Sequence, residues 1–362
     1  MGYQLKNKLT IAIYVEVNGQ RLEIPLTSQT TLTEMYLVES TRQSVPTLYI
    51  QLEDGDRFFS QCPLLDGQRI YVVIQPYNQQ AVQYCFRVYS YSSQFNGLTN
   101  TYRIDGYLDC PKFWFGTSCG SYNGSTSSVI NQVASQCGIF AECDITHDSQ
   151  LWMQNNRTFN DFVRYLTAYG YVNDNSYMVR SLNLNNTLVY RNVNAIVNPS
   201  CEVVAYSQKE GAVLATDIRV KSNSGLNNAV GGYSSVMQGD QAYKNLTVDQ
   251  TERNLALNTE LNSQIGRGKI GHSYVSFNQY SDYWKAAYQN LRYSKLYSVD
   301  CAFLTSQVTP LNPLKAFRLA VPESQGELDV SDSGLYIVDT RTICVRGVTY
   351  AERINGTRKG VN

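Results

Sequence analysis

The N-terminal part of the chain is organised by a period of two. Leu9, Ile11, Ile13, Val15 and Val17 alternate with Thr10, Tyr14 and Glu16, the pattern breaks at Asn18-Gly19, and Leu22, Ile24 and Leu26 resume it. Alternation places the apolar residues on one face of a strand, and Asn-Gly supplies the two positive φ values of a tight hairpin turn. Further strands are predicted at 47–52, 70–75 and 82–89, separated by Asp54-Gly55 and Asp66-Gly67. Closely spaced strands without long helices define a sandwich or barrel, so residues 1–108 are read as a first β-domain.

From residue 109 the period lengthens. Val129, Ile130, Val133 and Cys137 mark a helix face near 125–137, with serines ahead to cap it and Gly138 behind to end it. Thr158-Phe159-Asn160-Asp161 has the form of a capping box. Phe159, Phe162, Val163, Leu166 and Tyr169 then follow at helical spacing, with Asn160, Arg164 and Thr167 on the other side. The helix is predicted over 158–169. Gly170 is expected to end it in the left-handed conformation, with Tyr171 folding back on Leu166, and Trp152 is expected as an apolar lid. Strands at 177–180 and 187–192, around the polar turn Asn183-Leu184-Asn185-Asn186, make a hairpin. Residues 109–204, closing at Asn198-Pro199, are therefore a small α/β domain whose structural core is predicted to be Trp152, Thr158, Phe162, Leu166, Gly170 and Tyr171.

Strands return at 203–207 and 215–221, then a polar, glycine-containing stretch at 222–272 interrupts them. A stretch that long without periodicity is either functional or ordered by partners. Asp282 caps a predicted helix near 282–295 that carries Trp284, Ala287, Tyr288 and Leu291 on one side. Strands at 316–321, 335–340 and 343–350, with Gly334 and Gly347 as turn residues, complete a second β-domain over 205–362. The fold class is α+β, mostly β: two β-domains, each a sandwich or a barrel, flanking a small α/β domain.

Composition narrows function. Lysine plus arginine equals aspartate plus glutamate at 30 each, so the chain has no basic excess to drive phosphate binding, and a sequence-specific nucleic-acid binder is not expected. No run of about 18 apolar residues occurs, and the N-terminus lacks an apolar block before a small-residue cleavage site. A soluble, non-exported, membrane-free protein is expected. Met1-Gly2 does not make a myristoylation signal, because Lys6 stands where Ser or Thr is required. Nine cysteines without paired short spacings fit reduced thiols. The 28 tyrosines suit strands and wet contact surfaces.

Chemistry-bearing residues are few. His147 and His272 are the only histidines. Cys137, Cys143 and His147 can be drawn as a thiolate with a base or as zinc ligands, but their spacing matches neither a peptidase signature nor a Cys-x-x-Cys pattern. Gly231-Gly232 and Gly266-x-Gly268 lack the strand and helix of a phosphate loop. Asp54 with Asp56, and Asp329 with Asp332, lie in turns where aspartate serves local hydrogen bonds. No catalytic, cofactor-binding or metal-binding residue is assigned, and an enzyme is not expected.

Several stretches resemble a known family. Trp152 ahead of Thr158-Phe159-Asn160-Asp161-Phe162, the exit Gly170-Tyr171-Val172 and the strand end Tyr190-Arg191-Asn192 resemble the central domain of phage tail hub proteins, the late-control-protein family. The likeness extends to Pro46-Thr47-Leu48, Phe58-Phe59-Ser60, Pro63-Leu64-Leu65-Asp66-Gly67 and Gly106-Tyr107-Leu108-Asp109. Towards the end of the chain it includes Tyr288-Gln289-Asn290-Leu291-Arg292, Ser333-Gly334-Leu335-Tyr336-Ile337-Val338 and Arg358-Lys359-Gly360-Val361-Asn362. The resemblance implies a virion structural protein, assembled in the host cytoplasm, that forms the homotrimeric central hub of a contractile-tail baseplate. Two tail-tube-like barrels per chain would let a threefold hub meet a sixfold tube. The implied partners are the central spike, tail-tube or tube-initiator proteins, and the tape measure protein. Two other readings compete: a glycan-binding adhesin or receptor-binding tail protein built on the aromatic and amide residues, and a thiol-dependent cysteine hydrolase.

Overall fold

The computed structural model describes residues 3–5, 9–173, 175–196, 201–205, 212–222, 286, 289–290, 293–294, 296–322 and 328–360. β1 (Tyr3–Gln4) pairs with β2 (Thr10–Val17), whose Ile11, Ile13 and Val15 are fully buried. Asn18 and Gly19 take φ values of 51° and 78°, as the Asn-Gly turn requires, and β2 folds back on β3 (Gln20–Glu23). β4 (Thr30–Ser40) and β5 (Thr47–Asp54) follow. A bulge between Leu32 and Glu34 resets the alternation of β4, which is why its periodicity is hidden in the sequence. The single turn α1 (Phe58–Gln61) is held by Asp54, whose carboxylate accepts the N–H groups of Phe58 at 2.8 Å and Phe59 at 2.9 Å. β6 (Arg69–Gln75), β7 (Val82–Phe95) and β8 (Asn100–Leu108) complete an antiparallel order β2-β6-β7-β8-β5-β4.

The central region opens with a short helix, α2 (Pro111–Trp114), and β9 (Ser118–Ser125). The expected α3 (Thr126–Cys137) is capped by Ser125, whose hydroxyl accepts the Ser128 N–H, and ends at Gly138 with φ 71°. β10 (Phe140–Cys143), β11 (Ser149–Arg157), α4 (Phe159–Tyr169), β12 (Met178–Leu182) and β13 (Thr187–Asn192) follow. β10, β13 and β12 form one sheet, while β9 and β11 form a separate two-stranded one. The predicted hairpin turn is present: the Asn183 N–H donates to Thr187 and the Asn186 N–H to Asn183.

At the start of α4 the Thr158 hydroxyl accepts the Asp161 N–H at 3.0 Å and donates to the Asp161 carboxylate at 3.0 Å. Phe162, Val163 and Leu166 are fully buried. Two details differ from the sequence reading. Asn160, placed there on the outer side, is buried. Gly170 is extended, with φ −65° and ψ 133°, and makes no left-handed cap. The carbonyls at the end of α4 are instead reached by a distant side chain: Asn290 Nδ2 donates to Thr167, Ala168 and Gly170 at 3.3, 3.1 and 3.3 Å. The Tyr171 N–H goes to Asp148 at 2.9 Å, drawing the chain away from the helix. Glycine is needed at 170 because an added Cβ would stand 1.7 Å from the Tyr190 hydroxyl oxygen.

The last part of the chain comprises β14 (Glu202–Ala205), β15 (Val213–Leu214), β16 (Thr216–Ser222), β17 (Val299–Thr305), β18 (Ala316–Ala320), β19 (Gly334–Arg346) and β20 (Thr349–Arg358). Their pairings run in a circle. β14 pairs with β18, β18 with β19, β19 with β20, β20 with β17 and β17 with β16; β16 follows β15 through Ala215, and β15 pairs with β14. Val204, Val213, Phe303, Phe317, Tyr336, Val338 and Ile354 fill its inside. The strands predicted at 335–340 and 343–350 are one strand, β19, bulged between Val338 and Thr340, and the turn falls at Gly347. Ala286, Gln289, Asn290, Tyr293, Ser294 and Leu296 are helical. Trp284, Ala287, Tyr288 and Leu291 of that predicted helix, and the stretch 223–272, lie outside the described residues.

β19 joins the two β regions. Before its bulge it pairs with β18, and from Thr340 to Arg346 it pairs with β4, Ser40 through Glu34. Ile343, Val345 and Tyr350 thereby pack into the core built by the first strands. At this joint Arg341 lies buried between two buried carboxylates. It grips Glu352 with Nε at 3.0 Å and Nη2 at 2.7 Å, and its Nη1 reaches Asn312 Oδ1 at 2.7 Å and Glu39 at 3.4 Å. Glu352 also accepts the hydroxyls of Thr309 at 2.6 Å and Tyr350 at 2.5 Å, while Glu39 accepts the Leu184 N–H at 2.8 Å. Burial alone would make Arg341 easier to deprotonate, but the two carboxylates, Glu352 foremost, hold it firmly charged. Burial raises Glu39 above its ordinary value, against the opposing pull of Arg341 and the Leu184 N–H.

Three outcomes follow from these contacts. Gly170→Ala should lose roughly 1–3 kcal/mol in denaturant melts through overpacking, and adding Tyr190→Phe should return part of it. Arg341→Met should cost about 3–5 kcal/mol, because it leaves two buried carboxylates without their cation. Because the folded value of Glu39 is raised, its contribution is complete below the ordinary carboxylate range and is lost as pH rises through the raised value. Melts of Glu39→Gln and the parent from pH 4 upward should show the parent losing stability relative to the variant; a constant difference would contradict this.

Candidate functional site

Among the described residues, those singled out for chemistry in the sequence lie apart or in local structural roles. Burial pushes the Cys137 thiol up to about 11, partly offset by Lys112. Burial likewise raises Cys143 to about 12, against the lowering pull of Arg191. A thiol held that high is a poor nucleophile at neutral pH. His147 is exposed, and its backbone N–H donates to Tyr171. Among the described residues no group of three His, Cys, Asp or Glu side chains could hold a metal ion. Asp54 caps α1, Asp56 accepts the hydroxyls of Thr27 at 2.7 Å and Thr30 at 2.9 Å, and Asp329 closes its own turn onto the Ser331 N–H at 2.7 Å. These are the local roles expected of aspartates in turns. Gly231, Gly266 and Gly268 lie outside the described residues.

A cleft of about 510 Å³ opens where the central region meets the last strands, walled by Asp144, Arg191, Glu202, Lys315 and Cys201 among others. Arg191 is bound to Asp144 at 2.8 Å and Glu142 at 3.0 Å, and Asp144 also accepts the Asn192 N–H at 2.7 Å. Those charges fix the end of β13.

The residues predicted as the central core occupy the following places. Trp152 is 1 % exposed, donates from Nε1 to the Gly124 carbonyl at 3.0 Å and meets the Tyr165 ring edge-on at 6.1 Å. The Phe162 ring packs against that of Tyr122 at 5.2 Å, tilted by 31°. Thr158, Leu166, Gly170 and Tyr171 frame α4 as described above. Together they join β9, β11 and α4 into one packed body.

The surface feature that sequence reasoning missed is an arm. β7 pairs with β6 only from Val82 to Arg87; after a bulge between Val88 and Ser90 it leaves β6 and pairs with β8 alone. The outer edge of Ser90-Tyr91-Ser92-Ser93-Gln94-Phe95 is therefore without a strand neighbour among the described residues. Tyr89, Phe95 and Leu98 on this arm are 60, 66 and 93 % exposed. The edge carries no charge and no proline, the two common means of blocking strand addition. The aromatic and serine alternation from Tyr89 to Phe95 was the signal available in the sequence. On β11, likewise, Leu151 and Met153 face outward while Trp152 faces in.

No family model matches the sequence, and a search of curated proteins finds no match. Solved structures do match the fold. A 43 kDa tail protein from prophage MuSo2 of Shewanella oneidensis superimposes with a TM-score of 0.62 at 12% identity, over 96% of this chain and 98% of that one. A tail protein from Neisseria meningitidis gives 0.60 at 10% identity, over 96% of both chains. An E. coli component of the type VI secretion system, described as structurally similar to T4 bacteriophage tail proteins, gives 0.51 at 7% identity, over 98% of this chain and 79% of that one. The chain thus shares the fold of these tail proteins over 96% of its length, and its described residues are mostly β.

Proposed function

We propose that this protein is a structural component of a phage tail, the homotrimeric central hub of a baseplate that joins the spike to the tail tube. The observation that carries the reading is a fold shared with tail proteins over 96% of the chain and 98% of the Shewanella protein. The circular pairing of β14 to β20 supports a barrel in the second β region. A first barrel completed at β4 and β19 would give two per subunit and six around a threefold axis, which suits a sixfold tube. The partners proposed are the spike, a tube or tube-initiator protein and the tape measure protein, in the virion after assembly in the host cytoplasm. No catalytic role is proposed. The exposed aromatics of the arm run along one strand edge, which suits pairing with another chain better than a concave sugar site.

Native mass spectrometry of the purified protein or of dissociated tails tests the subunit count, with a trimer expected. Lysines block strand addition at sheet edges, so Ser92→Lys with Gln94→Lys, both on exposed positions of β7, should abolish the trimer and leave the melting of the monomer unchanged. A parent that remains monomeric in tails contradicts the hub. A variant that still forms trimers removes the arm from the interface.

A further inference from the structure

Among the described residues six charged side chains are buried: Glu39, Asp54, Asp148, Arg180, Arg341 and Glu352. Five are saturated. Glu39, Arg341 and Glu352 hold one another, and Asp54 caps α1. Asp148 accepts the Thr126 N–H at 2.9 Å, the Thr126 hydroxyl at 2.6 Å and the Tyr171 N–H at 2.9 Å. Arg180 is the exception: it is 7 % exposed and its guanidinium makes no hydrogen bond or ion pair among the described residues, although its nitrogens are not among the side-chain atoms wholly cut off from solvent. A buried cation without a counter-charge is costly, and proteins seldom retain one without a reason.

The register locates it. Arg180 stands opposite Tyr190 across β12 and β13, and cross-strand neighbours share a face. The Tyr190 hydroxyl lies against Gly170 at the end of α4, so Arg180 is on the face that α4 covers. Burial foremost, and then repulsion by Arg164, bring it down to about 10, against the opposing attraction of Asp161. The Asp161 carboxylate is engaged by Thr158 in the capping box. Arg164 is exposed on α4. One turn before it, Asn160 is buried with its amide oxygen lacking a donor; turned over, that amide would offer an N–H group on the same side of the helix.

We propose that Arg180 and Arg164, with Asn160 beside them, form a receptor for an oxyanion between α4 and β12. A planar guanidinium fork matches a carboxylate or a phosphate. Such a group supplies the missing counter-charge for Arg180 and relieves its repulsion with Arg164. Two sources share this chemistry: a free anion such as inorganic phosphate, and a carboxylate side chain of a second copy of this chain.

Thermal melting of the full chain tests the proposal. The parent, Arg180→Met and Arg164→Ala are compared in chloride, phosphate and acetate at matched ionic strength, each over a hundredfold range of protein concentration. For a free anion, the parent's midpoint rises in phosphate or acetate, Arg164→Ala rises less and Arg180→Met does not respond. For a carboxylate on a second copy, added anions do nothing, but the parent's midpoint rises with protein concentration and that of Arg180→Met does not. The proposal is overturned if Arg180→Met melts at or above the parent and follows it in every condition. If Arg180→Met does not fold, Arg164→Ala, at an exposed position, decides: responses to anion and to protein concentration both equal to the parent's overturn it.

Discussion

The architecture depends on one buried ionic contact, the grip of Arg341 on Glu352 with Glu39 alongside. Arg341 belongs to β19, Glu39 to β4 and Glu352 to β20, while the neighbours they engage, Leu184 and Asn312, come from the central hairpin and the segment before β18. A hydrophobic patch at this point would tolerate sliding. Charges out of water do not, because each must meet a partner in one geometry or remain unsatisfied. The cluster therefore fixes the register between strands roughly 300 residues apart in sequence, and with it the joint between the two β regions. A second tie works alongside it: Asn290 and Gln289 reach the end of α4 and the following loop, so the last third of the chain also closes the central region.

What the sequence disclosed was local. The Asn18-Gly19 hairpin, the serine and glycine ends of α3 and the Thr158 capping box rest on backbone chemistry within a few residues, and each stands where it was expected. What it concealed was distant or irregular. β4 is hidden by its bulge, and the continuation of β7 is hidden because tyrosine and serine replace aliphatic residues once the strand leaves β6. Gly170 looked like a left-handed helix end because the sequence around it is that of such an end. Its actual reason, the approach of Tyr190, and the capping of α4 by Asn290 are tertiary facts that no window of neighbouring residues contains. For the same reason the joining of β4 to β19 could not be read from either strand alone.

The candidate site shows the same division. The turn aspartates could be set aside from sequence, and their contacts in the structure give Asp54, Asp56 and Asp329 local structural roles. The arm formed by β7 and β8 and the unmatched Arg180 emerge only once pairing and burial are known. Both are features that a free chain does not complete by itself. An unpaired, uncharged edge accepts a strand, and a buried guanidinium accepts an oxyanion. Both lie on a fold shared with phage tail proteins.

A cryo-microscopy reconstruction of the assembled tail, with this chain located in the density, tests the central claim most directly. The account predicts three copies in a ring at the tip of the tail tube, their β-domains forming a quasi-sixfold face towards the tube and a threefold face towards the spike. A single copy at the tip, or copies placed on a peripheral fibre away from the tube axis, would contradict it.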